Sequence, residues 1–82
     1  MIRIKKKTKD EFTVKLEEKE YNVILDDKHW QELTGGKTSK EELIKKSFNF
    51  LLERESKESI LSRFDLRIIS RYFPEYEQEI KK

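Results

Sequence analysis

The feature that most constrains the fold is a helical period running through residues 37–55. Two capping boxes can begin this helix, because a Ser or Thr followed three positions later by Glu satisfies two free backbone amides. One box pairs Ser39 with Glu42, and the other pairs Thr38 with Glu41. We therefore expect an amphipathic helix around which the chain packs. Its inward face comprises Leu43, Ile44, Ser47, Phe48, Leu51 and Leu52.

The first 25 residues show a different period, in which apolar and polar side chains alternate along three short runs. Alternation of this kind is typical of half-buried β-strands. The connections between the runs are short and polar, which favours antiparallel neighbours. The pattern predicts a three-stranded antiparallel meander with one apolar face. That face comprises Ile2, Ile4, Phe12, Val14, Leu16, Tyr21, Val23 and Leu25.

The remaining segments read as short helices separated by caps and breakers. Asp26 or Asp27 can cap a helix over 28–33, and Gly35–Gly36 ends it, since glycine accepts the left-handed conformation at a helix terminus. Ser56 can cap a further helical turn that extends through Phe64. Two more helical segments follow: 66–72, capped by Asp65 and ended before Pro74, and a last turn in 75–82, where Tyr76 and Ile80 face inward.

Taken together, these elements predict a single α+β domain over 1–82, with a β-meander at 1–25 and a helical part at 26–82. The helices are expected to cover one face of the sheet, led by the long central helix. An apolar sheet face needs such a cover to be stable in water.

Composition narrows the possible classes of protein. There is no cysteine, which excludes disulfides and thiolate metal sites. No apolar run approaches the length of a membrane span, so we expect no membrane segment and a cytoplasmic location. The net charge is +2, with basic residues concentrated before position 10 and acidic residues from 10 to 35. This uneven pattern is not the broad basic face that phosphate neutralisation requires.

No group of residues has the spacing of a catalytic, cofactor or metal site. His29 is the single histidine, and a solvated helix start carrying the capping residues Asp26 and Asp27 explains its surroundings. The Gly-Lys-Thr sequence at 36–38 lacks the earlier glycine of a phosphate-binding loop, because position 31 is Gln. We therefore predict a non-enzymatic protein with no cofactor and no metal.

The C-terminal third carries more large aromatic residues than a small core readily hides. Such residues either complete the core or form an exposed patch for a partner, and the sequence leaves both possibilities open. The prediction is a protein-interaction or self-associating module that forms a homo-oligomer, such as a dimer, or binds a protein partner. The candidate interaction surface comprises Trp30, Phe64, Tyr72, Phe73 and Tyr76.

Two resemblances bear on function. Residues 21–54 resemble a ribbon-helix-helix domain, with an alternating strand, a glycine turn and a capped second helix. That resemblance implies a dimeric DNA-binding regulator or antitoxin whose strand pairs across a two-fold axis. Nucleic acid is the less favoured partner, because Glu20 would share the outward strand face with Asn22 and would be repelled by phosphate. The candidate nucleic-acid contacts are Arg3, Lys5, Lys7 and Asn22.

The second resemblance covers most of the chain. The meander, the central helix and the Phe-Asp-Leu-x-x-Ile-x-x-Tyr-Phe-Pro-Glu-Tyr segment at 64–76 resemble a family of small bacterial and archaeal proteins without an assigned activity. This resemblance implies a shared fold and transfers no site residues.

Overall fold

The computed structural model describes residues 2–81. Within this range the chain forms a mixed α+β structure, as predicted, with a radius of gyration of 11.7 Å. The elements in chain order are β1 (Ile2–Lys6), β2 (Glu11–Leu16), β3 (Lys19–Ile24), α1 (Asp27–Thr34), α2 (Lys40–Leu52), a 3-10 turn (Lys57–Ser59), β4 (Arg63–Asp65), α3 (Ile68–Tyr72) and α4 (Tyr76–Ile80). No helix in the described range is long and apolar enough to cross a membrane.

The first three strands form the predicted antiparallel arrangement. Ile4 lies opposite Val14, and Val14 lies opposite Tyr21, so the alternating apolar residues share one face of the sheet. Those of β2 and β3 are buried, and those of β1 are half-buried. The two-residue turn between β2 and β3 contains no glycine and instead places Glu17 at a positive φ of 57°. The Lys57 ammonium lies 2.9 Å from the Glu17 carboxylate and helps to hold this turn.

The sheet has a fourth strand, which corrects the prediction of a three-stranded meander followed only by helices. β4 pairs with β3 in parallel, with Phe64 opposite Val23, and the strand order is β1-β2-β3-β4. The segment after Ser56 is helical only in the 3-10 turn, so the predicted helix through Phe64 was wrong. Three residues with one inward side chain are too few to show the alternation that identifies a strand.

Helices α1 and α2 begin at predicted capping residues, and α1 ends at the predicted glycine, whereas α2 ends at Leu52, three residues before the predicted end at 55. The Asp26 carboxylate accepts the His29 amide over 2.8 Å, and the Ser39 hydroxyl accepts the Glu42 amide over 3.1 Å. Ser39, not Thr38, is therefore the cap of α2. Gly35 ends α1 at a φ of 65°, a conformation that costs glycine little.

The hydrophobic core lies between the sheet and the helices, and both contribute buried side chains to it. α2 lies against the apolar face of the sheet, and α1 and α4 pack beside α2. Tyr76 and Ile80 of α4 are buried, as predicted for the last turn. The buried apolar residues form one cluster: Phe12, Val14, Leu16, Tyr21, Val23, Leu25, Leu33, Leu43, Ile44, Phe48, Phe50, Leu51, Ile60, Phe64, Leu66, Ile69, Tyr76 and Ile80.

Candidate interaction surface

An apolar groove opens at the end of the molecule where α2 finishes and β4 and α3 meet. Its volume is about 360 Å³, and most of its wall is hydrocarbon. We call it the apolar groove throughout. Its lining residues are Leu51, Glu55, Ser59, Ile60, Leu61, Phe64, Ile68, Ile69, Tyr72 and Phe73.

Local sequence shapes each wall of this groove. Ile60 follows the 3-10 turn in extended backbone, where successive side chains point to opposite sides, so Ile60 and its neighbour Leu61 do not both enter the core. Ile60 is buried and Leu61 is 51% exposed. Ile68 and Tyr72 lie one turn apart on α3 and therefore share a helix face. The helix ends at Tyr72, because Pro74 cannot continue it.

The lining of the groove includes the two large hydrophobic residues that the described chain leaves most exposed. Leu61 is 51% exposed and Tyr72 is 67% exposed. Single exposed apolar side chains are common on protein surfaces and need no explanation. Two of them beside one apolar depression form a contiguous patch, which is the pattern of an interaction site.

The structure divides the five predicted interaction residues between surface and core. Tyr72 is exposed, Phe73 is half-buried and Phe64 is buried in the core, and all three line the groove. Trp30 lies on α1, where its indole donates to the Thr38 carbonyl over 2.7 Å. Trp30 is not among the residues that line the groove.

Tyr76 is fully buried, so the structure places it in the core and not on the predicted surface. Its hydroxyl lies 2.6 Å from the Ser47 hydroxyl, and its ring packs edge-on against Phe50 at 5.2 Å. Burial raises the pKa of the Tyr76 hydroxyl above its ordinary value. The candidate surface is therefore redrawn without Tyr76 and Trp30.

Sequence reasoning missed the aliphatic half of the groove. Leu61 and Ile68 fall within the predicted helical segments, and neither is predicted as part of the interaction surface. The sequence does show two adjacent apolar residues, Ile60 and Leu61, after a serine cap. This pair indicates an exposed apolar side chain only once the strand β4 is known to follow it.

The groove is poor in groups that perform chemistry. Its polar side-chain groups are the carboxylate of Glu55 and the hydroxyls of Ser59 and Tyr72, and the Ser59 hydroxyl lies 3.1 Å from the Ser56 hydroxyl. Elsewhere in residues 2–81, no cluster of three or more His, Cys, Asp or Glu side chains could hold a metal ion.

His29 is buried, which corrects the prediction of a solvated helix start. Its Nδ1 has no hydrogen-bond partner within the described part of the chain. Burial is the main cause that lowers the pKa of His29, and the nearby Arg67 guanidinium lowers it further. Arg67 itself contacts the Asp26 carboxylate at 2.8 Å, so charged groups surround this imidazole without bonding to it.

The predicted nucleic-acid contacts share one face of the sheet only in part. Lys5, Thr13 and Asn22 lie in one cross-strand row on the face opposite the helices, and Arg3 lies on the same face. Lys7 follows β1 and lies 3.9 Å from the carboxylate of Glu11. The same face carries the acids Glu11, Glu20 and Asp65, which leaves its charge mixed.

The strand that resembles a ribbon-helix-helix strand has no free edge. β3 is hydrogen-bonded to β2 on one side and to β4 on the other. It cannot pair with a second copy in the way that family requires, so the local resemblance does not extend to the arrangement that reads DNA. Comparisons with protein-family models, curated proteins and solved structures each found no match.

Proposed function

We propose that this chain is a non-enzymatic protein-interaction module and that the apolar groove is its binding surface. The observation that carries the proposal is that Leu61 and Tyr72 are both exposed and both line one apolar groove. A partner that covers both removes hydrocarbon from water, and this is the main favourable term in protein association.

The composition of the groove supports a protein partner over a polar small molecule. Binding energy at interfaces is concentrated in a few residues, among which tyrosine is enriched because it combines a large apolar ring with a hydroxyl. Tyr72 supplies such a ring, while Leu61 and Ile68 supply aliphatic surface. Small-molecule sites usually add several convergent polar groups, whereas most of the wall of this groove is hydrocarbon and its polar side-chain groups are those of Glu55, Ser59 and Tyr72.

Site-specific photo-crosslinking tests the proposal. A photoreactive phenylalanine replaces Tyr72 in cells that naturally express the chain, and mass spectrometry identifies any adduct. We expect one defined protein adduct, whose affinity is then measured by titration with purified components. Adding Leu61→Ser should weaken binding about tenfold or more, the loss expected when an interface anchor is removed.

The matched control places the same photoreactive residue at position 71. Arg71 lies next to Tyr72 on α3 and is exposed, but it is not part of the groove. It should give little of the same adduct. Equal labelling from both positions, or an adduct from position 72 that Leu61→Ser leaves unchanged, would contradict a groove-specific interaction. No adduct from position 72 would also contradict it.

A further inference from the structure

The apolar groove borders an open edge of the sheet. β4 pairs only with β3, and no strand in residues 2–81 lies beyond it. The bonds at its two ends show which positions face β3. The Asn22 amide donates to the Ser62 carbonyl over 2.7 Å, and further along the Leu66 amide donates to the Ile24 carbonyl over 2.9 Å.

Hydrogen-bonding positions alternate along a strand. Because Ser62 and Leu66 face β3, the intervening residues Arg63 and Asp65 direct their amide and carbonyl groups toward the open edge. Their side chains lie on the outer sheet face with Asn22 and Ile24, whereas Phe64 lies on the core face and lines the groove. The open edge therefore presents the backbone amide and carbonyl groups of Arg63 and Asp65, which lie before and after Phe64 in the strand.

We propose that a second copy of this chain occupies this edge, with the two β4 strands antiparallel about a two-fold axis at Phe64. In this register Arg63 of each copy faces Asp65 of the other. Both residues point their backbone groups to the shared edge, so the pairs form the hydrogen-bonded positions of an antiparallel ladder. The two Phe64 residues then form the closer, non-hydrogen-bonded pair between them. The proposal rests on the groove being an interaction surface, as proposed above.

Charge complementarity selects this occupant and this register. When two copies of Arg63-Phe64-Asp65 run antiparallel, each arginine lies opposite an aspartate. Opposite charges across a strand pair are stabilising. Sliding the strands so that Arg63 faces Arg63, or Asp65 faces Asp65, would oppose like charges. A C2 contact requires such self-complementarity, since the same patch serves both subunits.

The other edge of the sheet is protected by its charge. β1 carries Arg3, Lys5 and Lys6 with no acid, so pairing two copies of β1 would oppose cations along its length. Lysines on an edge strand deter strand addition in this way. Only the β4 edge combines an open ladder with balanced charge.

The edge and the groove form one continuous surface through Phe64. Pairing at β4 alone involves only three residues of each chain. The additional apolar area comes from Leu61 and Tyr72, which lie beside the edge residue Phe64 in the groove and would be covered by the same second copy.

The test is a charge exchange followed by sedimentation velocity across a concentration series. Arg63→Asp makes both edge residues acidic, and Asp65→Arg makes both basic. Each variant replaces two attractive pairs with two repulsive ones, so we expect the dimer dissociation constant to rise about tenfold. The double variant R63D/D65R restores opposite charges across the axis and should recover the wild-type dissociation constant.

A mixture of the two single variants gives the sharpest outcome. R63D presents two acids and D65R presents two bases, so the mixed dimer has two attractive pairs although each variant alone repels itself. We expect the mixture to form a heterodimer more tightly than either variant forms a homodimer. Because mixing changes no sequence, defective folding cannot produce this gain. R3D, an equal charge change on the β1 edge, should leave the dissociation constant unchanged.

Amide hydrogen exchange adds a direct reading of the edge. The amides of Arg63 and Asp65 should become protected as dimer concentration rises. A monomer at every concentration, open-ended polymers, or a dimer that is indifferent to R63D and D65R would each overturn the proposal. If the chain is monomeric but position 72 still crosslinks specifically to a different protein, the groove function stands and self-association at β4 fails. If neither is observed, both proposals fail.

Discussion

At the scale of single residues, two tyrosines four positions apart have opposite environments. Tyr72 is mostly exposed at the rim of the groove, whereas Tyr76 is fully buried beneath α2. The Tyr76 hydroxyl is satisfied by Ser47, whose own proton is used to donate to the Leu43 carbonyl at 2.8 Å. Both hydroxyl contacts are made at the same time only if Tyr76 donates in the 2.6 Å contact between the two hydroxyls.

This donor assignment predicts an order of stability losses. Ser47→Ala leaves the Tyr76 hydroxyl buried without an acceptor and should cost about 1–3 kcal/mol of the free energy of unfolding. Tyr76→Phe removes the donor but leaves Ser47 bonded to the Leu43 carbonyl, so it should cost less, about 1 kcal/mol. Urea denaturation monitored by circular dichroism measures both.

Tyr72→Phe is the matched control, because it deletes the same hydroxyl from an exposed position. It should change the free energy of unfolding by less than about 0.5 kcal/mol. A loss for Tyr72→Phe as large as that for Tyr76→Phe would mean that the buried hydroxyl pair does not stabilise the core.

At the scale of elements, the boundaries of α2 depend on single capping residues. Two candidate boxes overlap in the sequence, and in the structure Ser39 accepts the Glu42 amide while the Thr38 carbonyl accepts the Trp30 indole. The two residues therefore serve different elements: Ser39 begins α2, and the backbone of Thr38 ties α1 to it.

The cap assignment predicts unequal effects of two similar substitutions. Ser39→Ala should lower the free energy of unfolding by about 1 kcal/mol, because a free helix amide loses its acceptor. Thr38→Ala keeps the carbonyl that accepts from Trp30 and should cost less than about 0.5 kcal/mol. Ser39→Asp, which can also cap, should behave like the wild type in the same urea titration. Equal losses at 38 and 39 would show that the helix start is not fixed by Ser39.

At the scale of the whole molecule, stability depends on pH through groups in different regions. Burial lowers the pKa of His29 below its ordinary value, so the unfolded chain binds this proton more readily than the folded chain. The stabilisation that His29 contributes is complete above its pKa in the unfolded chain. It is lost as the pH falls from that value through the lower pKa of the folded chain. The carboxyls of Asp26 and Asp27 also have lowered pKa values, mainly from the His29 amide and the Lys40 ammonium respectively.

These directions predict two separate windows in which stability falls. Between about pH 7 and pH 5 the wild type should lose stability through His29, with a slope of at most about 1.4 kcal/mol per pH unit for one proton. His29→Gln should be flat across this window. Below about pH 5 both proteins should lose stability together, because their carboxylates become protonated.

Lys28→Gln is the control for a change beside His29, since Lys28 is exposed. It should retain the wild-type slope between pH 7 and pH 5 when urea midpoints are measured at each pH. An identical slope in His29→Gln would assign the loss to another group.

The sequence alone determined the features that depend on near neighbours. Alternation placed β1, β2 and β3, and their inward faces followed from it, because side chains on a strand alternate by geometry. Period and capping placed α1 and α2 within a few residues, since a cap is a contact over three positions. The sequence also directed attention to the aromatic tail, where Tyr72 does lie exposed.

Tertiary structure decided what depends on distant partners. β4 is a strand because it pairs with β3. Without that pairing, the sequence of its three residues predicts only a helical turn. Tertiary packing likewise decides that Tyr76 and His29 are buried and that Leu61 is exposed. The burial of a residue depends on what packs against it. The partners that interact here lie about 30 to 40 positions apart along the chain, as in Tyr76–Ser47, His29–Arg67 and Phe64–Val23. The local periodicity of the sequence does not indicate these distant partners.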